Sequence, residues 1–90
     1  MTPCERRFGL LVGLAWELRR IGVGSSVVLP RVGEALLVVR GPGNVRVSVP
    51  GVRQDDRWAL VWSPGRVVTA EHLDLAAREI AADVRRRWTA

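Results

Sequence analysis

His72 is the only histidine in the chain, so any acid–base pair, nucleophilic triad or metal site that needs an imidazole has to be assembled around it. Glu71 and Asp74 stand beside it and supply carboxylates able to tune a proton transfer. The trio offers no second histidine at ligand spacing and no thiolate. Acids are also routine at a helix start, where they face the positive end of the helix dipole. A helix-terminal role is therefore preferred for these residues over catalysis or metal binding. Asp55-Asp56 is a second carboxylate pair, but acid and base roles need a pocket that drives the two pKa values apart. Within Gln54-Asp55-Asp56 a solvated turn is the simpler assignment. Gly41-Pro42-Gly43-Asn44 lacks the GxxxxGK[ST] or GxGxxG spacing of a phosphate loop, and a strand pattern follows it rather than a helix whose N-terminus would hold an anion. Cys4 is the single cysteine, which rules out an internal disulfide and a cysteine metal cluster; near a terminus it reads as a frayed residue. No enzymatic activity, metal or cofactor is expected from these residues.

The tryptophans and arginines carry more information. Trp58 and Trp62 are four apart in an apolar strand pattern, on one side of a sheet and about 13 Å from each other by the strand rise. With Arg46 and Arg57 nearby they would form an aromatic and basic platform on which single-stranded nucleic acid could stack. The other reading is core or interface packing, because tryptophan buries a large area and is enriched at protein contacts; this is the preferred one. The net charge of +5 comes from fourteen arginines and no lysine. Together with abundant Val, Ala and Gly, that skew is what the codon usage of a GC-rich genome produces by itself. Basic charge favours polyanions through counterion release. Here it is dispersed, with Arg46, Arg57, Arg66 and the triplet Arg85, Arg86 and Arg87 as the candidate nucleic-acid contacts.

These side chains must be positioned by a small number of elements. In Glu71–Trp88, Leu73, Ala76, Ala77, Ile80, Ala81, Val84 and Trp88 recur every three or four residues and form one apolar helical stripe. Asp74 with Arg78, and Asp83 with Arg87, are acid-first pairs four apart, the favourable order on a helix. Thr69 stands at the N-cap position. Arg6–Ile21 is a first helix with Phe8, Leu11, Ala15, Leu18 and Leu14 on its main stripe. Val12 and Trp16 lie off that stripe, so this helix is apolar on two sides and is either sandwiched or meets a partner. Gly9 and Gly13 weaken it by about 1 kcal/mol each unless they admit a close neighbour. Arg19 and Arg20 followed by Gly22 make a helix stop.

From Val23 the period changes to two. Val23–Leu29 is a strand, Pro30–Glu34 a turn, and Ala35–Arg40 an apolar strand covered on both faces or nearly so. Gly41–Asn44 turns the chain again. Val45–Val49 alternates strictly, Pro50-Gly51 bends or ends it, and Arg57–Ser63 is the last strand. Ser63-Pro64-Gly65-Arg66 closes that strand, and Val67-Val68 lead into the final helix. Met1–Glu5 is a short arm.

The resulting expectation is a small single α+β domain over residues 1–90, in the order α-β-β-β-β-α. Its sheet is antiparallel, with both helices packed on one face. Ninety residues bury roughly 60–65% of the surface the unfolded chain exposes, and a hydrophobic content of 48% argues against disorder. Phe8–Trp16 is the longest apolar stretch and falls far short of the ~20 residues of a membrane span. It is not flanked like a secretory signal either. A cytoplasmic protein without a membrane partner is expected.

Phe8–Trp88 resembles a group of short actinobacterial helix–strands–helix proteins encoded near helix-turn-helix regulators. The similarity lies in Leu14-Ala15-Trp16-Glu17-Leu18 followed by Gly22, and in the apolar strand ending near Arg40. It continues in Trp58-Ala59-Leu60-Val61-Trp62 and in Leu75-Ala76-Ala77-Arg78-Glu79-Ile80; the group's asparagine–proline turn is represented here by Gly41–Asn44. The resemblance implies an accessory or regulatory role. The expected function is thus a non-catalytic protein-binding module, a homodimer or bound to a partner protein, with Trp58, Leu60, Trp62 and Trp16 as interface candidates. The alternative is nucleic-acid binding by the arginines above and exposed tryptophans.

Overall fold

The computed structural model describes residues 2–63 and 66–89, together with their side chains except those of residues 63, 88 and 89. The side chain of Trp88, expected on the closing stripe, and residues Pro64 and Gly65, expected in a turn, lie outside what is described.

Helix α1 spans Pro3–Arg20. It starts three residues before the expected Arg6, because Thr2 caps it: the Thr2 hydroxyl accepts from the Glu5 N–H at 3.2 Å, and Pro3 occupies the first turn, where a missing N–H costs nothing. Residues 3–5, expected in a flexible arm, therefore belong to the helix. Its other end is the expected stop. Gly22 takes φ +80°, Val23 N–H bonds Leu18 C=O at 2.9 Å and Gly22 N–H bonds Arg19 C=O at 3.0 Å. This paired closure satisfies two orphan carbonyls and turns the chain toward the sheet.

Five strands follow in a meander: β1 Ser25–Val28, β2 Leu36–Arg40, β3 Arg46–Gln54, β4 Arg57–Ser63 and β5 Arg66–Thr69. Each pairs antiparallel with the next, in the order β1-β2-β3-β4-β5. The chain is thus a small α+β domain with a helix at each end of a strand run, as expected, and its sheet has one strand more than the sequence suggested. Val67-Val68, read as a lead-in, pair with Val61 and Leu60 to form β5. Two valines between a Pro-Gly pair and a threonine carry too short an alternation to announce a strand. β3, expected to bend or end at Pro50-Gly51, does not end there but runs on to Gln54. Pro50 sits on the last rung of the ladder to β2, opposite Leu36, while the ladder to β4 begins at Gly51 opposite Leu60. A proline at that change of partner does not break a continuous row of hydrogen bonds.

The 3₁₀ turn Ala70–His72 leads into helix α2, Leu73–Thr89. Thr69 is the residue before that turn, but its side chain caps nothing. Both helices lie on one face of the sheet. Leu10, Leu11, Leu14 and Leu18 of α1 and Ala76, Ala77, Ile80 and Val84 of α2 share a single core with Leu37, Val39, Val47, Val49, Leu60, Trp62 and Val68. Leu10 therefore takes the inward place that the sequence suggested for Phe8, which is exposed.

Close approach is set by small residues. At Gly41 an added Cβ would overlap Val84 Cγ1, and at Gly13 it would lie 2.9 Å from Leu73 Cδ1. The first holds the last turns of α2 against the β2–β3 connection; the second lets the start of α2 rest on α1. Gly41→Ala is expected to lower the unfolding free energy by about 1–3 kcal/mol, the usual cost of overpacking. Urea denaturation followed by circular dichroism measures it. A loss under about 0.5 kcal/mol would mean that Val84 is free to move aside.

Candidate protein-contact surface

The helix-covered face of the sheet takes most of the residues expected at an interface. On β4, Trp58, Leu60 and Trp62 share one side by alternation, and that side is the one under the helices. Leu60 is fully buried, Trp62 is buried, and Trp58 is partly buried against the core edge. Leu60 and Trp62 hold the domain together rather than offering contact surface.

Trp58 has a specific partner that the sequence did not single out. The Arg7 guanidinium lies over its ring, 5.1 Å from the centroid. Arg7 Nε also donates to the Gly51 carbonyl at 3.1 Å, and Nη2 pairs with Glu34 Oε1 at 3.2 Å. One largely buried arginine on α1 thus ties together β3, β4 and the loop between β1 and β2. In the sequence it was one of an ordinary Arg6–Arg7 pair, and only the fold brings Gly51, Trp58 and Glu34 around it.

The nucleic-acid platform does not assemble. Arg46 lies at the start of β3, opposite Arg40, whereas Trp58 pairs with Arg53 near the far end. By alternation Arg46 and Arg57 are on the helix-free face and the tryptophans on the other. Arg46 and Gln54, the partner of Arg57, are eight positions apart on β3, about 26 Å by the strand rise. Arg66 pairs with Glu79 at 3.7 Å. Asp83 is bracketed by Arg86 Nη2 at 3.2 Å and Arg87 Nε at 3.3 Å, the latter a close contact without hydrogen-bond alignment. Asp74–Arg78 forms as expected, at 3.3 Å. Arg85 is exposed on the same helix. The candidate arginines are therefore spread over both faces of the sheet and α2.

The carboxylates and His72 do not converge either. Asp55 sits in the β3–β4 hairpin with φ +56°, a left-handed position that aspartate tolerates. Asp56 is solvent-exposed and lies 3.7 Å from Arg53. His72 is exposed in the 3₁₀ turn. A cleft of about 600 Å³ lies between the end of α1 and the start of α2. Its charged lining includes Glu17 with Arg20 and Asp74 with Arg78, two ion pairs at 3.4 and 3.3 Å. No group of three or more His, Cys, Asp or Glu residues able to hold a metal ion occurs among the described residues. No described helix is long and apolar enough to cross a membrane.

Besides single exposed residues such as Leu29 and Val32 in the β1–β2 connection, the described helices and strands leave two apolar surfaces open. One is the helix-free side of the sheet, where Val28, Leu36 and Pro50 form a cross-strand row, beside the pairs Val52–Ala59 and Val61–Val67. These side chains largely shade one another; of them only Val28 and Val67 are well exposed. The other is the outer side of α1. Phe8, Val12 and Trp16 follow one another at i, i+4 and i+8, with 44%, 44% and 60% of their surface exposed. Arg19 lies over the Trp16 ring at 5.9 Å, and Val12, Trp16 and Arg19 border a hollow of about 340 Å³ that runs to Ser25 on the edge strand. The two-sided apolar pattern of this helix is realised: one side is core, the other is open.

The burial difference among the tryptophans has a direct test. Trp62→Ala is expected to cost about 3–5 kcal/mol of stability by cavity formation. Arg7→Ala is expected to cost about 2 kcal/mol, through a lost charged hydrogen bond and uncovered apolar surface. Denaturant melts of the two variants measure both; a Trp62→Ala protein as stable as wild type would put Trp62 back on the surface. No protein-family model matches the chain, and no curated protein and no solved structure matches it.

Proposed function

We propose that this chain is a non-catalytic, cytoplasmic protein-binding module of accessory or regulatory type, working as a homodimer or on a partner protein. The observation that carries the reading is Trp16, 60% exposed and in line with Phe8 and Val12 on the outer side of α1. Contiguous exposed apolar surface of this kind, rimmed by polar residues, marks interaction sites on soluble domains. Tryptophan and arginine, which stand side by side here as Trp16 and Arg19, are both enriched where binding energy concentrates. The dispersal of His72, Asp55 and Asp56 supports a module without an active site. The resemblance to short proteins encoded near helix-turn-helix regulators supports a partner in transcriptional control.

Trp16→Ala is the test. Because Trp16 is 60% exposed and outside the buried core cluster, the variant is expected to melt within about 0.5 kcal/mol of wild type. Its affinity for the bound protein, a second copy included, is expected to fall roughly 30-fold or more, the loss of a central tryptophan. Analytical ultracentrifugation reads the self-association, and titration against proteins co-purified from the host reads the rest. Unchanged binding by a folded Trp16→Ala chain would overturn the reading.

A further inference from the structure

We propose that the occupant of the α1 surface is a second copy of this chain, its α1 packed antiparallel across a two-fold axis that passes beside Val12. The inference rests on the protein-binding reading above and adds the partner and the geometry.

The residues on the outer side of α1 are arranged symmetrically about Val12. A two-fold contact is self-complementary, so a residue that lies n positions before the axis must fit the residue n positions after it. Phe8 and Trp16 are four before and four after: each aromatic ring meets the other kind across the axis. Gly9 and Ala15 are three before and three after. Both are small: Ala15 is half-buried against its own core, and a Cβ added at Gly9 would meet nothing within 4 Å of its own chain, so the space at Gly9 is open to a neighbour. Glu5 and Arg19 are seven before and seven after, about 10.5 Å along the axis on either side of Val12. Both are exposed. Within the chain Glu5 has no ion-pair partner among the described residues, and Arg19 has only its contact with the Trp16 ring.

In the antiparallel pair each Glu5 stands at the level of the other copy's Arg19, so both ends of the contact carry opposite charges. A parallel pair would instead set Glu5 against Glu5 and Arg19 against Arg19. The helix dipoles add to the preference, since each capped N-terminus lies beside the other copy's C-terminal turn. The Phe8–Val12–Trp16 ridge and the Glu5–Val12–Arg19 row cross at Val12, which makes Val12 the knob at the centre.

Phe8, Val12 and Trp16 present on the order of 300 Å² per copy. With the stems of Glu5 and Arg19 the pair buries roughly 1,000 Å² in total, the low end for a specific complex. The dimer is accordingly expected in the micromolar range, forming and parting with concentration.

The experiment is a charge exchange on the full chain, read by sedimentation equilibrium from low to high micromolar concentration. Wild type is expected to move from 10.0 kDa toward twice that mass. Glu5→Arg and Arg19→Glu are each expected to raise the dissociation constant roughly tenfold, because the two-fold expresses every substitution twice. The double variant Glu5→Arg/Arg19→Glu is expected to return to within about threefold of wild type. Val12→Cys in a Cys4→Ser background is expected to form an inter-chain disulfide on mild oxidation, since residues on a two-fold meet their own copies. Circular dichroism confirms that each variant is folded. Absence of rescue in the double variant, or a disulfide-free Val12→Cys chain that still dimerises, would overturn the geometry. A chain monomeric at every concentration would overturn the second copy as occupant. In that event Trp16→Ala against other proteins still decides the binding reading separately.

Discussion

Leu11, Leu14 and Leu18 of α1, fully buried with Leu37, Val39, Val49 and Leu60 of the sheet, form the contact on which the rest of the structure depends. A sheet has two faces and this chain has two helices, both spent on the same one. Among the described residues no polar or charged residue is fully buried on that face; the polar groups nearest the core, Arg7 and Asp83, sit at its edges with partners close by. Gly13 and Gly41 let α2 settle close enough to share the core with α1, and Arg7 fastens the edge where Trp58 would otherwise meet water. The cost of this economy appears elsewhere. The helix-free face keeps Val28 and Val67 turned to solvent, and α1 keeps an outer apolar ridge. Both are consequences of the same shortage of covering elements.

Much of this was legible in the sequence. The closing helix, its ion pairs Asp74–Arg78 and Asp83–Arg87, the left-handed Gly22 and the hairpin at Asp55-Asp56 each follow from spacing and residue type alone. They are local: the physics that makes them acts within about five residues. The features that were not legible depend on what the chain meets at a distance. Pro50 ends a strand by its own chemistry, and only the change of partner from β2 to β4 makes it harmless. Val67-Val68 become a strand because Val61 and Leu60 stand ready to pair. The α1 stripe was assigned one residue family too far round, placing Phe8 inside, because Leu10 and Phe8 are both apolar and periodicity alone does not say which way the helix is turned.

The tryptophans show the same division. Period two correctly put Trp58 and Trp62 on one side of β4, but a strand pattern does not say which side the helices cover. Once the cover is known, the roles sort themselves: Trp62 fills the core, Trp58 closes its edge beneath Arg7, and Trp16 alone among the three is left substantially open. The arginines sort likewise. A charge of +5 suggests a basic surface, yet Arg7, Arg20, Arg53, Arg66, Arg78, Arg86 and Arg87 each lie within reach of a carboxylate. Arg40 and Arg46, directly opposite each other on neighbouring strands, are like charges that destabilise slightly rather than a tuned anion site. Exposed pairs of this kind contribute little to stability individually. Their effect is to spread the positive field instead of concentrating it in one groove, which is the opposite of what a polyanion track requires.

What remains is the question of why α1 is apolar on two sides at all. A helix that only closes a core needs one stripe, and its outer positions are best filled with charged residues, as α2 does with Asp74, Arg78 and Arg85. On α1 the outer positions hold Phe8, Val12 and Trp16, which neither raise helix propensity nor improve the core beneath them. The polar residues on that side, Glu5 and Arg19, stand at opposite ends of the ridge. Solubility alone would favour charges throughout it. Apolar in the middle, acid at one end and base at the other is an arrangement whose complement is its own reversal. The surplus hydrophobicity of α1 is therefore the other half of the covering problem: a surface that the chain leaves open in itself and that the proposed reversed copy of the same helix would cover.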